Sequence, residues 1–348
     1  MVHIPEKARQ YHLPKREGID CLAVRTFDVP KPKANEVLVK IHAVSLNYRD
    51  IVISTNEYKD FGKLRDNLVP CSDGAGEVVA VGEDVNKWAI GDRVAAHLAL
   101  DYVGVGVRAE FLGKALGGPI DGVLTEYQVF PDYCLVKIPD YLSYEEASTL
   151  PCAAVTAWYA LQGPAQVKSG DYVLILGTGG VSIFALQFAV AAGATVIATS
   201  SSNDKLEKVK KLGAQHLINY KEVPDWEKET HGEGVHHVVE VGGAGTISKS
   251  LSSLRLDGWI HIVGFLEGAQ QPKDEKPLAL KILSGHANVR GTMLGPRTMF
   301  EDLIRALDVH KIHPVVDSVF SFDKAIDAYK HLASQKHVGK VVIRVVEQ

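Results

Sequence analysis

The uncharged run over residues 172–203 constrains this chain more than any other stretch. Residues 172–176 form a short apolar segment suited to a strand buried on both faces. Gly177, Thr178, Gly179 and Gly180 follow as a turn, and residues 181–192 read as a helix that Gly193 ends. Residues 195–199 are a second strand. In this order a backbone turn can approach a pyrophosphate. Gly177 permits the tight turn, Gly179 lets the main chain come close, and the helix from Val181 onward offers free N–H groups and its positive dipole end. Ser182 stands where the pattern's third glycine usually lies, and it is the smallest polar substitute at that packing position. Length and apolarity alone would also suit a membrane span. The glycine cluster, the polar residues Thr178, Ser182 and Gln187, and the second strand favour a nucleotide-binding unit.

The remaining composition narrows the class. A chain of 348 residues suggests two domains. A net charge of −4 with scattered basic residues gives no electrostatic footprint for nucleic acid or an anionic membrane. The first ten residues are polar and lack the apolar core of a secretory signal, so a cytoplasmic location is the expectation. Cys21, Cys71, Cys134 and Cys152 lie far apart with no C-x-x-C pair, which predicts free thiols rather than disulfides or a cysteine-rich zinc site.

Up to about residue 139 the chain reads as short strands separated by turns, at 37–43, 76–82, 92–96 and 122–129. Ser143 and Glu146 have capping-box spacing, so a helix starts there. Pro151 is expected to interrupt it before a helix over 153–162. From 171 to about 293 strands and helices alternate. A charged helix at 205–212 and strands at 216–219, 235–241 and 259–264 imply a doubly wound parallel sheet. Helices at 300–309 and 325–333 and a strand at 340–345 close the chain, and residues 267–276 read as a surface connection.

The order of S-L-N-Y-R-D, P-C-S-D-G-A-G-E, G-D-R-V, T-A-W-Y-A-L, G-T-G-G-V-S and a terminal G-K-V-V-I resembles the medium-chain dehydrogenase/reductase superfamily. The resemblance covers nearly the whole chain. It implies an α/β protein: a GroES-like β-rich catalytic domain from residues 1–153 and 294–348, and a Rossmann domain, a doubly wound parallel sheet, over 154–293. Zinc relatives carry a cysteine where Asn47 stands and a histidine at Ser72, beside an acid that Asp73 supplies. Their third ligand falls on Cys152. One thiol, an amide and a hydroxyl do not make a catalytic zinc site, and residues 101–116 lack the four cysteines of a structural one. The expectation is therefore no metal, and the quinone oxidoreductase-like or alcohol dehydrogenase-like zinc-free branch. There Asn47 and Tyr58 would be the catalytic residues near the nicotinamide, with Asp50 bracing its own loop.

The cofactor follows from the end of the second Rossmann strand. NAD enzymes place an acid there, which would repel a 2′-phosphate. Here Ser200 and Ser201 occupy it and Lys205 follows, which suits a phosphate dianion. Tyr220 resembles the tyrosine that closes this pocket in NADPH-dependent relatives, and Asp204 is read as a helix cap. The resemblance brings Thr156 to the nicotinamide ribose and Gly242 and Gly243 under the adenosine ribose. It sets Gly264, Phe265, Thr292 and Met293 beside the carboxamide, and Lys340 at the nicotinamide end. His97 is either a cleft residue or a packed core histidine. The implied activity is hydride transfer from NADP(H) to quinones or α,β-unsaturated carbonyls, in a homodimer. Tyr58, Tyr48 and water stay open as the proton source. A zinc-free alcohol dehydrogenase and a crystallin-like NADPH-binding protein without turnover are the alternatives.

Overall fold

The computed structural model describes residues 3–57, 63–104, 106–230, 232–266 and 277–346. The chain forms two compact units, Met1–Ala153 with Pro296–Gln348, and Ala154–Gly295.

The first unit is built on β1 (Lys7–His12), β2 (Ala23–Asp28), β3 (Glu36–Ser45), α1 (Tyr48–Ser54), β4 (Asp73–Val81), β5 (Arg93–Ala96), α2 (Ala109–Leu112), β6 (Tyr127–Pro131), β7 (Leu135–Lys137) and α3 (Tyr144–Ala147). Strands β1 and β2 pair with each other. Strand β3 is the spine: Val37, Val39, Ile41 and Val44 are buried in a core with Phe130, Leu135 and Tyr329. The start of α3 is the expected capping box, with Ser143 N–H donating to Glu146 Oε2 at 2.8 Å and Glu146 N–H to Ser143 Oγ at 3.1 Å. Pro151 falls in the expected interruption: α3 ends at Ala147, residues Leu150–Ala154 widen into a π-turn, and the next helix begins at Val155. Proline lacks the N–H that a tighter turn would use, so the wider turn loses nothing.

The second unit holds α4 (Val155–Gln162), β8 (Tyr172–Leu176), α5 (Gly180–Ala191), β9 (Thr195–Ser200), α6 (Asn203–Lys211), β10 (His216–Asn219), β11 (Val235–Glu240), α7 (Ile247–Ser253), β12 (Leu254–Ile262), α8 (Leu278–Ser284) and β13 (Asn288–Gly291). The sheet order is β10-β9-β8-β11-β12-β13, and all its pairings are parallel. The chain winds outward from β8 in one direction and from β11 in the other. The carboxyl ends of these two neighbours are therefore a topological switch point, where open α/β sheets bind ligands. Helix α5 is buried nearly all round, through Ile183, Phe184, Leu186 and Phe188, which explains the uncharged run without a membrane. Among the described residues no helix is long and apolar enough to cross one.

The chain then returns to the first unit with α9 (Arg297–His310), β14 (Val316–Ser321), α10 (Ala325–Ala333) and β15 (Lys340–Arg344). Its seven-stranded sheet runs β14-β15-β3-β4-β5-β7, with β6 also on β3. Helix α9 starts three residues before the apolar pattern does, because extended Pro296 caps it.

Two neutral histidines are sealed in the parallel sheet. His237 Nδ1 lies 3.2 Å from His261 Nε2, and the rings stack. Burial lowers both, His237 to about 4 and His261 to about 3, with Asp171 pulling His237 the other way. An unfolded histidine titrates near 6.5. Below that pH the unfolded chain takes up protons that the folded one refuses, so stability is lost as pH falls toward 4. Relative to a His237→Gln/His261→Gln variant, the native protein should lose roughly 2 kcal/mol per ring between pH 7 and pH 4.5. Urea denaturation at both pH values measures this, and parallel pH curves for the two proteins would refute it.

Candidate functional site

The glycine turn after β8 has the conformation its sequence demands. Gly177 lies at φ +70°, and its N–H donates to Thr199 O at 3.0 Å, tying the turn to β9. A side chain built on Gly177 or Gly179 would meet nothing within 4 Å, so the outer face of the turn is bare backbone. Gly179 caps the 12-residue α5, whose first amides have no carbonyl a turn earlier to bond. Ser182 is buried and donates to Leu176 O at 2.7 Å. Where the pattern has a third glycine, this chain fastens helix to strand with a hydroxyl. The turn fits a pyrophosphate. Thr178 is buried beside it.

Of the four residues read as a phosphate pocket, Ser200 and Tyr220 are joined by a backbone hydrogen bond, Ser201 follows Ser200 in the chain, and Lys205 lies in the first turn of α6. Ser200 is buried; its Oγ accepts from Ser202 N–H at 3.3 Å and its carbonyl from Tyr220 N–H at 3.1 Å. Ser201 and Lys205 are half-buried and Tyr220 is exposed, so these three form the accessible part. Sequence reasoning missed Glu222, whose Oε1 accepts from Asn203 Nδ2 at 2.7 Å and Asn219 Nδ2 at 2.9 Å. Asn219 is the β10 partner of Ser200.

The turns after β11 and β12 are governed by a residue not singled out in the sequence. Glu240 is fully buried. Its Oε1 accepts from Gly242 N–H at 2.7 Å, Gly243 N–H at 3.1 Å and Thr246 Oγ1 at 2.6 Å, and its Oε2 accepts from Ser250 Oγ. The signal was present: an acid ending an apolar strand must find donors, and two glycine amides stand next to it. Gly242 is buried and Gly243 half-buried, and the N–H groups of both are taken by Glu240 rather than left for a ligand. Gly264 and half-exposed Phe265 abut Gly243, where an added Cβ would come within 2.8 Å of Phe265 Cα. Thr156 is buried and donates to Met293 O at 3.3 Å, which engages the hydroxyl expected at a ribose. Thr292 is buried, while Met293 is exposed.

In the first unit a polar cluster is sealed beneath β3, β4 and β15. Lys340, at the start of β15 and only 3% exposed, donates to Leu46 O at 2.5 Å and to Asn47 Oδ1 at 2.6 Å. Asp73 Oδ1 accepts from Ser72 Oγ at 2.6 Å, and Oδ2 from Cys152 N–H at 3.1 Å. Burial raises the Asp73 carboxyl, and the Lys340 charge opposes that. Asp50 accepts from Asn47 N–H at 2.8 Å, so it braces its loop as read; burial pushes it up to about 6. Asn47 is thus clamped at backbone and side chain, and its Nδ2 is buried as well. Both ends of the amide expected to line the nicotinamide site point into protein. Lys340, expected at the nicotinamide end, has its charge directed at Leu46, Asn47 and Asp73. His97 is fully buried, with Nδ1 2.8 Å from Ala99 O, which is the packed alternative. Tyr58 lies outside the described residues.

These residues do not suit a zinc ion. The amide oxygen already accepts from an ammonium, and the Ser72 hydroxyl donates to Asp73. Burial, with Asp73 adding to it, pushes the Cys152 thiol up to about 12, and one thiol does not supply the three protein ligands of a catalytic zinc. Among the described residues no group of three His, Cys, Asp or Glu side chains could hold a metal.

A family model described as "Alcohol dehydrogenase GroES-like domain" matches residues 33–140, and one described as "Zinc-binding dehydrogenase" matches 180–308. A zinc-type alcohol dehydrogenase-like protein of Schizosaccharomyces pombe is 47% identical over 94% of this chain and 96% of its own. A chloroplast envelope quinone oxidoreductase homolog of Arabidopsis thaliana is 30% identical over 90% and 91%. The crystal structure of a putative alcohol dehydrogenase from Sinorhizobium meliloti superposes with a TM-score of 0.90 at 36% identity, covering 99% of this chain and 100% of that one. An NAD-dependent alcohol dehydrogenase structure gives 0.87 at 30%, covering 97% and 100%.

The Lys340 contacts make a stability prediction. Lys340→Met leaves Asp73 without its cation and two oxygens without a donor, so it should cost on the order of 3–5 kcal/mol in urea denaturation. A loss below about 1 kcal/mol, the value of an exposed pair, would mean the cluster is not sealed.

Proposed function

The chain belongs to the medium-chain dehydrogenase/reductase superfamily, the oxidoreductases built on a GroES-like unit and a nicotinamide-dinucleotide-binding sheet, and we propose that it is a metal-independent member that uses NADP(H) to reduce quinones or α,β-unsaturated carbonyls. The observation that carries this reading is the Lys340 ammonium on Asn47 Oδ1. A cation stands against the residue that zinc relatives replace with a thiolate. Without a Lewis acid to polarise a carbonyl, an acceptor that is already electron-poor is favoured. The S. pombe relative's name includes "zinc-type", which under this reading reflects fold rather than ligands. The name of the Arabidopsis relative supports quinone chemistry.

The bound nicotinamide would supply the hydride. The protein's part is to hold and orient it. The bare turn at Gly177, Thr178 and Gly179, with the Gly180 and Val181 amides at the start of α5, takes the pyrophosphate. Ser201, Lys205 and Tyr220 take the 2′-phosphate, with Ser200 supporting them from beneath. Gly242, Gly243, Gly264 and Phe265 form the wall behind the sugar and carboxamide, with Thr292 beside it, and Thr156 holds Met293 there. Asn47 acts through position, clamped by Asp50 and Lys340. We take the working form to be a homodimer, for which light scattering after size exclusion is the check.

A second reading follows from the solved neighbour described as NAD-dependent and from Glu222 near the strand end. Here the chain is an NAD alcohol dehydrogenase. Fluorescence titration with NADPH and NADH, metal analysis on the same sample, and a panel of quinone, enone and alcohol separate the two. Tighter NADPH, no stoichiometric zinc and turnover of quinone or enone support the proposal. Stoichiometric zinc, or turnover confined to the alcohol, overturns it. Lys205→Glu should weaken NADPH by about 2 kcal/mol or more and leave NADH within about twofold. An equal loss for both would remove Lys205 from phosphate recognition.

A further inference from the structure

Glu240 binds its neighbours through two separate sets of atoms. Its carboxylate collects the amides of Gly242 and Gly243, the Thr246 hydroxyl and the Ser250 hydroxyl. Its main-chain oxygen accepts from Val263 N–H at 2.8 Å and Gly264 N–H at 3.3 Å. The first set shapes the turn between β11 and α7. The second holds the segment that leaves β12. The two segments touch through Gly243, at φ +84°, and Phe265. One buried residue therefore fixes both loops at the carboxyl end of β11, beside the switch point of the sheet.

Without the carboxylate, two amides and two hydroxyls lose that acceptor inside the protein. They can recover it only if the turn opens toward water. Helix α7 has seven residues and gives this turn no anion site of its own. With its two amides on Glu240 and the Gly243 carbonyl accepting from Thr246 N–H at 3.1 Å and Ile247 N–H at 2.9 Å, the turn has no free amide pair to offer a phosphate. What it offers is a fixed backbone shape packed against Phe265.

We infer that Glu240 is a positioning residue for the dinucleotide: it holds the Gly242–Gly243 turn and the Gly264–Phe265 segment as one rigid wall against which the cofactor is aligned. The inference rests on the reading that the second unit binds a nicotinamide dinucleotide. Glu240 touches no cofactor atom itself.

The test uses the intact protein, titrated with NADPH and NADH by fluorescence, with thermal denaturation alongside. Glu240→Ala should weaken the preferred dinucleotide by about tenfold or more, the effect of a wall that can open. Glu240→Gln keeps an oxygen for the two amides and Thr246, and its NH2 can donate to Ser250 Oγ, so it should restore affinity to within about threefold. Ser250→Ala removes a buried donor on the side away from the turn; it should lower the melting temperature and leave affinity within about twofold. Glu240→Ala binding as tightly as the native protein, or Ser250→Ala losing affinity in step with its stability, would show a role in folding only and overturn the inference. If Glu240→Ala does not fold, the Gln and Ser250→Ala arms and Thr246→Val decide. Thr246→Val should weaken binding more than Ser250→Ala does, and the reverse order overturns the inference. Native protein that binds neither dinucleotide sinks the functional reading itself, whereas native binding with insensitive variants sinks Glu240 alone.

Discussion

A lysine ammonium shut inside a β-sheet unit has to be answered by oxygen atoms, and the first unit is arranged around that requirement. Lys340 comes from the last strand, Leu46 and Asn47 from the end of β3, and Asp73 from the start of β4. Strand β15 also pairs antiparallel with β3, with Leu46 N–H donating to Val341 O at 2.9 Å. The cation therefore fastens the last strand to the first large sheet segment from inside. Hydrophobic burial supplies most of the stability of such a unit. It does not fix which oxygens meet at one point. An unanswered buried charge is too costly to allow an alternative arrangement, so Lys340 fixes the geometry of the loop that carries Asn47.

The second unit applies the same rule with the sign reversed. Glu240 is a buried carboxylate, and four donors converge on it. Each donor is local, within ten residues of the acid. This is why the structure can be a turn rather than a long-range contact. The glycine turn at 177–180 needs no such device, because Gly177 adopts its positive φ freely and its N–H is answered by Thr199 O. Two glycine turns on neighbouring strands thus have different chemistry. One is tied to the next strand by a backbone bond and, on the proposed reading, keeps the first amides of α5 for the pyrophosphate; the other has its amides bound by its own carboxylate.

How much of this was legible in the sequence depends on the range of the interaction. The strand–turn–helix over 172–203 is local, and periodicity, glycine placement and absence of charge all agree there. The capping box at Ser143 and Glu146 is equally local. The start of α9 was placed late because Pro296, not an apolar residue, begins the helix. Pro151 marks the break between the helices at 144–147 and 155–162, and only the π-turn that fills this break is not specified by a pattern of α-helices and interruptions. The clamp on Asn47 joins positions 47 and 340, and no single-sequence pattern reports that pairing. Asn47, Lys340 and Asp73 were singled out through the family resemblance, and each could be named but not oriented. Orientation is what separates an amide offered to a ligand from one held by an ammonium.

The strand end after β9 shows why residue type alone is a coarse guide to cofactor choice. Serine, serine and lysine read as phosphate donors, yet a hydroxyl reaches a phosphate only if it is accessible, and Ser200 is not. On the proposed reading, recognition falls to Ser201, Lys205 and Tyr220, with Ser200 setting their position through its backbone bond to Tyr220. Glu222 brings negative charge to the same end, which by itself would favour a ribose hydroxyl over a phosphate. Its Oε1 is held by the Asn203 and Asn219 amides, both neutral donors, so the charge is directed but not cancelled. On that reading, selectivity at this strand end is a balance between one lysine and one glutamate. Both are near the surface, where salt screens such charges. The preference between the two dinucleotides should accordingly narrow as ionic strength rises, more so than it would for a pocket built on buried donors.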